Sequence, residues 1–91
     1  MIRRKDFLIC YDIADKKRLA KIAKIIEVEA LRIQRSVYFY AGVTKKELDS
    51  LISKILVILN IKIDDLRIYT IQNNGIHLGS AINLDSPFII T

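Results

Sequence analysis

Asp12 is the residue of this chain whose type and position best suit metal chemistry. It lies near the carboxyl end of the apolar run 7–13, which is typical of a buried central strand. A carboxylate there is a hard oxygen ligand of the kind that Mg²⁺ or Mn²⁺ prefers, and such a metal could activate a water and brace a phosphate during in-line attack. One carboxylate is a poor metal site, so a twofold axis would have to supply a second Asp12. The alternative is that Asp12 only makes hydrogen bonds in the turn from strand to helix.

Several basic residues could bind phosphate near Asp12. Arg18 follows Lys16 and Lys17 in the first turn of a predicted helix, and Arg32 and Arg35 flank Gln34 in the next strand segment. Arginine can bind a phosphate through two parallel N–H groups, whereas lysine acts as a point charge. The alternative for each of them is a plain surface charge.

The composition predicts a small, oligomeric and basic domain. The chain has 91 residues, 52% of them apolar, with only three Gly and one Pro, and we expect residues 1–91 to form one domain. A domain of this size buries only about 60% of its unfolded surface, so part of the apolar material is expected in an interface. The net charge of +5 favours an acidic partner such as nucleic acid. A lysine-rich solvated face is the alternative.

Several classes of site are excluded by residue counts and spacing. Cys10 is the only cysteine, so neither an internal disulfide nor a zinc motif is possible, and no arrangement of a catalytic triad or glycine-rich phosphate loop is present. The apolar run after the basic start is broken by Asp12 and Asp15 and is too short for a signal peptide or a membrane span. We therefore expect a cytoplasmic protein that does not bind membranes.

Two amphipathic helices are predicted. Asp15 is a good N-cap for the first, whose apolar positions are Leu19, Ile22, Ala23 and Ile26, with lysines mostly on the other side. Thr44 and Glu47 match a capping box at the start of the second. Its apolar positions are Leu48, Leu51, Ile52, Ile55, Leu56 and Leu59.

The remaining segments predict strands. Residues 31–41 and 66–72 are predicted to be strands, in addition to the run 7–13, and Gly42 is expected to end the segment 31–41. A tight bend near Arg35 and Ser36 would divide 31–41 into two strands. The order would then be βαββαβ, an α+β, ferredoxin-like sandwich. The apolar end of the chain predicts an additional C-terminal strand at 86–91, docked on a partner subunit.

Two short motifs resemble those of the CRISPR-associated Cas2 family. The first is Tyr11-Asp12-Ile13 followed by Asp15 and Lys17-Arg18-Leu19; the second is Arg32-Ile33-Gln34-Arg35-Ser36-Val37-Tyr38. Their spacing, the chain length and the element order also match, so the resemblance covers essentially the whole chain. The sequence departs from the family pattern at Glu29-Ala30-Leu31, where a glycine is common, and at Tyr38, which is often Phe.

The resemblance implies a homodimer that acts in spacer acquisition beside the integrase Cas1, and a metal-dependent endonuclease for RNA or DNA. Asp12 would be the catalytic residue and the ligand of Mg²⁺ or Mn²⁺ at the dimer cleft. The expected nucleic-acid contacts are Lys16, Lys17, Arg18, Arg32 and Arg35, with Asp15, Gln34 and Ser36 in supporting roles. The alternatives are a non-catalytic dimeric scaffold that bridges duplex DNA, a ferredoxin-like regulatory domain and a toxin-type ribonuclease.

Overall fold

A computed structural model of the chain describes residues 3–72 and 75–77. Within these residues the strands form one antiparallel sheet in the order β2-β3-β1-β4-β5. The elements are β1 (Lys5–Asp12), α1 (Lys16–Glu27), β2 (Leu31–Gln34), β3 (Val37–Val43), α2 (Lys45–Ile58), β4 (Asp65–Gln72) and β5 (Gly75–His77). The α+β, ferredoxin-like order βαββαβ is confirmed, with β5 added beside β4.

Both helices begin at the predicted caps. The Asp15 carboxylate accepts the Arg18 N–H at 2.9 Å. The Thr44 hydroxyl accepts the Glu47 N–H at 3.1 Å, while the Glu47 carboxylate accepts the Thr44 N–H at 2.9 Å. These bonds satisfy backbone N–H groups that the first turn of a helix leaves free.

The bend predicted in segment 31–41 is present. Arg35 and Ser36 form the turn between β2 and β3, whose first register pair is Gln34 with Val37. The strand does not end at Gly42 as expected but continues to Val43. Gly42 has φ +65°, a conformation that glycine adopts without the Cβ strain of other residues, and its N–H donates to the Asp6 carboxylate at 2.8 Å.

One strand near the end of the chain was not predicted. Directly after the segment 66–72, β5 pairs antiparallel with β4. The predicted docking strand at 86–91 lies outside the described residues.

The two faces of the sheet differ in what covers them. Side chains alternate along a strand, and Phe7, Ile9 and Tyr11 point to the face on which α1 and α2 pack. The described helices leave the opposite face, here called the open sheet face, uncovered. The half-buried or exposed apolar residues on this face include Leu8, Cys10, Leu31, Val37, Phe39, Tyr69 and Ile71. Among the described elements, no helix is long and apolar enough to cross a membrane.

Candidate metal and nucleic-acid site

A pocket of about 300 Å³ lies at the carboxyl end of β1. Its walls come from the end of β1, the first turn of α1 and the turn between β2 and β3. The bond from the Tyr11 N–H to the Ser36 carbonyl, 3.2 Å long, holds β1 against that turn. The lining residues are Tyr11, Asp12, Ile13, Leu19, Arg32, Arg35 and Ser36. The structure thus brings together four of the predicted site residues, Asp12, Arg32, Arg35 and Ser36, from two motifs that are about twenty positions apart in the chain.

Asp12 is the last residue of β1 and is exposed. Within residues 3–72 and 75–77 its carboxylate accepts no hydrogen bond, so the alternative role in the strand-to-helix turn finds no support there. Its register partner on β4 is Asp65, and side chains paired in this way lie on the same face of a sheet with Cβ atoms about 5 Å apart. Asp65 is already engaged by Arg67 at 2.8 Å. Asp12 therefore offers an available anionic oxygen beside a carboxylate that is already paired.

The donor set of one subunit does not complete a metal site. In the part of the chain that the structure describes, no three His, Cys, Asp or Glu residues group closely enough to hold a metal ion. Asp12 has the hard oxygen chemistry that suits Mg²⁺ or Mn²⁺, so a metal fits here only if another molecule contributes ligands.

Arg32 is held in place by three contacts. One N–H group, Nη2, donates to the Arg35 carbonyl at 3.0 Å, Nη1 lies 3.6 Å from the Glu27 carboxylate, and the guanidinium carbon lies 5.6 Å from the centre of the Tyr38 ring. Interaction with the Tyr11 hydroxyl raises the pKa of Arg32, so its charge is retained at all ordinary pH values. A guanidinium fixed in this way can bind an anion at little further cost in side-chain entropy.

The tyrosines next to the pocket are packed in the core. Tyr38 and Tyr40 are buried, and Tyr38 stacks on Tyr11 with ring centres 5.9 Å apart. The Tyr38 hydroxyl donates to Glu27 at 3.0 Å. Burial raises the pKa of Tyr38, and hydrogen bonding with Tyr11 and Glu27 raises it further, so the hydroxyl stays protonated. These rings stabilise the wall of the pocket and do not offer a free stacking surface.

Arg18 has a role that the sequence did not predict. Its Nε and Nη2 donate to Asp64 at 2.8 and 3.1 Å, and the Asp64 side chain is 0% exposed. Asp64 also accepts the N–H groups of Ala14 and Asn60, both at 3.0 Å. These contacts join the loop after Asp12 to the loop before β4. The Arg18 bond, assisted by the two backbone N–H groups, holds the pKa of Asp64 well below its usual range.

The other predicted residues do not line the pocket. Lys16, Lys17 and Gln34 are exposed, and the Asp15 carboxylate caps α1. Their contacts with nucleic acid, like those of Arg32 and Arg35, remain predictions. Asp64 was missed because its partners Ala14 and Arg18 are 50 and 46 positions away, and no local pattern marks an aspartate for such a bond.

Comparisons with known proteins place the chain in a family. The profile of the family described as CRISPR associated protein Cas2 matches residues 5–77. The chain is 37% identical to the "CRISPR-associated endoribonuclease Cas2 2" of Thermodesulfovibrio yellowstonii, over 80% of this chain and 79% of that protein. It is 41% identical to a protein of the same name from Synechocystis, over 76% of this chain and 74% of that protein.

Solved structures agree with this result. The Streptococcus pyogenes Cas2 structure matches with a TM-score of 0.68 and 28% identity, covering 76% of this chain and 88% of that chain. A hypothetical protein from Thermus thermophilus matches with a TM-score of 0.73 and 27% identity, covering 78% of this chain and 85% of that chain. A chain of a "Partial Cas6-RT-Cas1--Cas2 complex" matches with a TM-score of 0.68 and 24% identity, covering 91% of this chain and 88% of that chain. This match shows the fold alone. With its fold, its motifs and these relatives in agreement, the chain belongs to the CRISPR-associated Cas2 family.

Proposed function

We propose that this protein is a dimeric, metal-dependent phosphodiester endonuclease of CRISPR adaptation, which acts on RNA or DNA. The observation that carries the proposal is the placement of the exposed Asp12 carboxylate beside Arg32 and Arg35 at one pocket. A free carboxylate next to two cationic side chains suits the joint binding of a divalent metal and a phosphate. The names of the curated relatives, which call those proteins endoribonucleases, support a nuclease and favour RNA.

The second ligand is proposed to come from a second copy of the chain, packed on the open sheet face. This face carries Leu31, whose side chain is 68% exposed, beside the half-buried Leu8 and Phe39, and such apolar surface favours an interface. Asp12 lies on the same face of β1 as Leu8 and Cys10, because side chains alternate along the strand. A twofold axis through this face would place both Asp12 residues at the same interface.

The chain's own residues have separate tasks in this proposal. Asp12 from both copies would hold Mg²⁺ or Mn²⁺, which when bound supplies an activated water and stabilises charge on the phosphate. Arg32 would hold the phosphate in a fixed direction, and Arg35 would add a second cation. Ser36 would hold the turn against β1 through its carbonyl.

A nuclease assay on single-stranded RNA and duplex DNA, with Mg²⁺ and with EDTA, tests the proposal. Cleavage is expected to require the metal and to disappear in Asp12→Ala and Asp12→Asn, because a neutral side chain no longer offers an anionic ligand. Asp49→Asn is the matched control, since it removes the same charge from α2, which does not line the pocket. Equal cleavage by wild type and Asp12→Asn would mean that the assignment of Asp12 is wrong.

The second candidate is a non-catalytic dimer that bridges duplex DNA beside the integrase Cas1. The net charge of +5 favours it, as does the structural likeness to a chain from a complex whose name includes Cas1. Binding needs no metal, so this candidate does not depend on Asp12. Salt-sensitive duplex binding without any cleavage, in both wild type and Asp12→Asn, would favour the bridge over the nuclease.

A further inference from the structure

The carboxylate of Glu27, the last residue of α1, lies next to two side chains that face each other across β2 and β3. Arg32 and Tyr38 are register partners in this pair of strands. The Tyr38 hydroxyl donates to the Glu27 Oε1 at 3.0 Å, and the Arg32 Nη1 lies 3.6 Å from the same oxygen. The first contact is a hydrogen bond, whereas the second is too long to be one. The carboxylate oxygen therefore bonds to the hydroxyl and only approaches the guanidinium.

The bond from Tyr38 to Glu27 has a fixed direction. A phenol has one proton to donate and a carboxylate can only accept, so the proton of the Tyr38 hydroxyl is used by Glu27. The Tyr11 hydroxyl, 3.5 Å from that of Tyr38, is then the donor of their contact. Tyr38 is fully buried, whereas Glu27 and Arg32 are about half exposed. The position of the Glu27 carboxylate is therefore set from the core and not by the arginine.

Arg32 is the pocket residue that this arrangement affects. Its Nη2 donates to the Arg35 carbonyl at 3.0 Å, so among the contacts within residues 3–72 and 75–77 Nη1 is the terminal nitrogen without a hydrogen bond. Carboxylates and phosphates bind a guanidinium through the same N–H groups. If Glu27 moved onto Nη1, it would occupy donors that a phosphate in the pocket needs.

We propose that the Tyr38 hydroxyl is a positioning residue for anion binding, which holds Glu27 away from Arg32 and so keeps Nη1 available to a phosphate. The inference rests on the proposed function, in which Arg32 binds phosphate, and it names the group that controls this contact. Tyr38→Phe removes only the hydroxyl and keeps the ring that stacks on Tyr11. The freed Glu27 carboxylate could then close on Arg32 and compete with the phosphate.

The same strand contains a matched control. The Tyr40 hydroxyl donates to Glu29 at 2.6 Å, and Tyr40 is buried like Tyr38. The Glu29 carboxylate lies 3.5 Å from Lys54 on α2, which does not line the pocket. Tyr40→Phe therefore loses a bond of the same kind without releasing a carboxylate toward Arg32. Thermal melts should show a similar loss of stability in both variants, so a difference in anion binding is not explained by folding.

The test titrates inorganic phosphate into the full-length chain and follows the Nε–H signal of Arg32 by NMR, the signal being identified by its loss in Arg32→Lys. Tyr38→Phe should weaken phosphate binding about fivefold, which is the most that a half-exposed ion pair contributes, while Tyr40→Phe leaves it unchanged. Glu27→Gln should not weaken binding, because it removes the competing charge. Tyr38→Phe added to Glu27→Gln should have no further effect, because no carboxylate remains to close on Arg32.

The double variant decides between positioning and packing. Equal weakening by Tyr38→Phe with and without Glu27→Gln would overturn the inference, since the hydroxyl would then act through the core. An unchanged phosphate affinity in folded Tyr38→Phe would overturn it as well, even if cleavage by the wild type depends on Asp12. A phosphate affinity that depends on Tyr38 in the expected way, in a protein that never cleaves RNA or DNA, would support the inference and refute the nuclease.

Discussion

Among the carboxylates that the structure describes, Asp64 should be the one whose replacement by the corresponding amide destabilises the protein most. The Asp64 carboxylate accepts four hydrogen bonds: two from Arg18, one from Ala14 and one from Asn60. An asparagine has one acceptor oxygen, and its amide N–H groups would face the remaining donors. Because the Asp64 side chain is 0% exposed, water cannot replace the lost bonds.

The magnitude follows from removing a buried acceptor that several donors share. Such a change at Asp64 costs about 3 kcal/mol, since backbone N–H groups of Ala14 and Asn60 that bond to the buried carboxylate lose or weaken their acceptor, while the Arg18 side chain is 24% exposed and can turn partly to water. For a chain of this size the loss corresponds to a decrease of about 15 °C in Tm. Urea and thermal melts followed by circular dichroism at pH 7 measure it, with Asp49→Asn as the control that removes an equal charge.

The pH dependence provides an independent check. The folded-state pKa of Asp64 is depressed, so its contribution to stability is complete above the unfolded-state pKa of about 4 and is lost as the pH falls below it. The difference in stability between wild type and Asp64→Asn should therefore be constant from pH 7 to about 5 and should decrease at lower pH. A loss at pH 7 no larger than the roughly 1 kcal/mol of a surface ion pair would refute the reasoning, as would a difference that grows as the pH falls.

Three further perturbations test the interface, the charged surface and the metal ligand. Phe39→Asp on the open sheet face should convert the expected dimer to monomer in light scattering, and deletion of residues 87–91 should weaken it; a monomeric wild type would contradict both. If a dimer neutralises about six phosphates, the slope of log K against log salt for binding to duplex DNA should be about −5. Arg35→Ala should make this slope less steep by about one for each phosphate that the variant no longer neutralises. A binding constant that does not change with salt would point to another partner. Asp12→Asn should abolish metal-dependent cleavage. Duplex binding should survive or tighten and Tm should not fall, because the substitution removes the repulsion of Asp12 from phosphate and from Asp65. Weaker duplex binding by a fully folded variant would contradict this.

The parts of the fold that local chemistry determines were predictable from the sequence. The cap at Asp15 and the capping box at Thr44 and Glu47 involve residues only three positions apart, so their signal is contained in a short window. The helical spacing of apolar residues likewise identified the buried face of α1, where Ile22 and Ile26 are both 0% exposed. Such signals do not depend on tertiary structure.

The turn at Arg35 and Ser36 and the strand β5 show where local chemistry stops being informative. The turn contains neither Gly, Pro, Asn nor Asp, so its position came from the expected strand order and not from turn residues. For β5, three residues are too few for an alternating pattern, and the strand exists because the edge of β4 offers free backbone groups. In both cases the sheet decides the conformation.

The candidate site was predictable in part because its motifs are short and lie on adjacent strands. The separation of Asp12 and Arg32 in the chain is bridged by the β1–β3 pairing, in which Cys10 lies opposite Val37. The resemblance to a family singled out Asp12 and three arginines, but it did not distinguish Arg32 and Arg35, which line the pocket, from the arginine that supports the neighbouring loop. Arg18 belongs to the first motif and yet binds Asp64.

Asp64 and Asp12 differ in whether their carboxylate oxygens are already hydrogen-bonded, and this difference separates a supporting residue from a candidate ligand. Asp64 is buried and accepts four hydrogen bonds, so its oxygen lone pairs are used and it can bind neither metal nor water. Asp12 is exposed and, within the described residues, accepts none, so a cation would meet no competing donor. The same loop connects them, because the Ala14 N–H that Asp64 accepts lies two residues after Asp12. A buried carboxylate that holds the loop allows the exposed one to stay unpaired without losing its position, so the support of the loop and the proposed metal chemistry are assigned to separate carboxylates, Asp64 and Asp12.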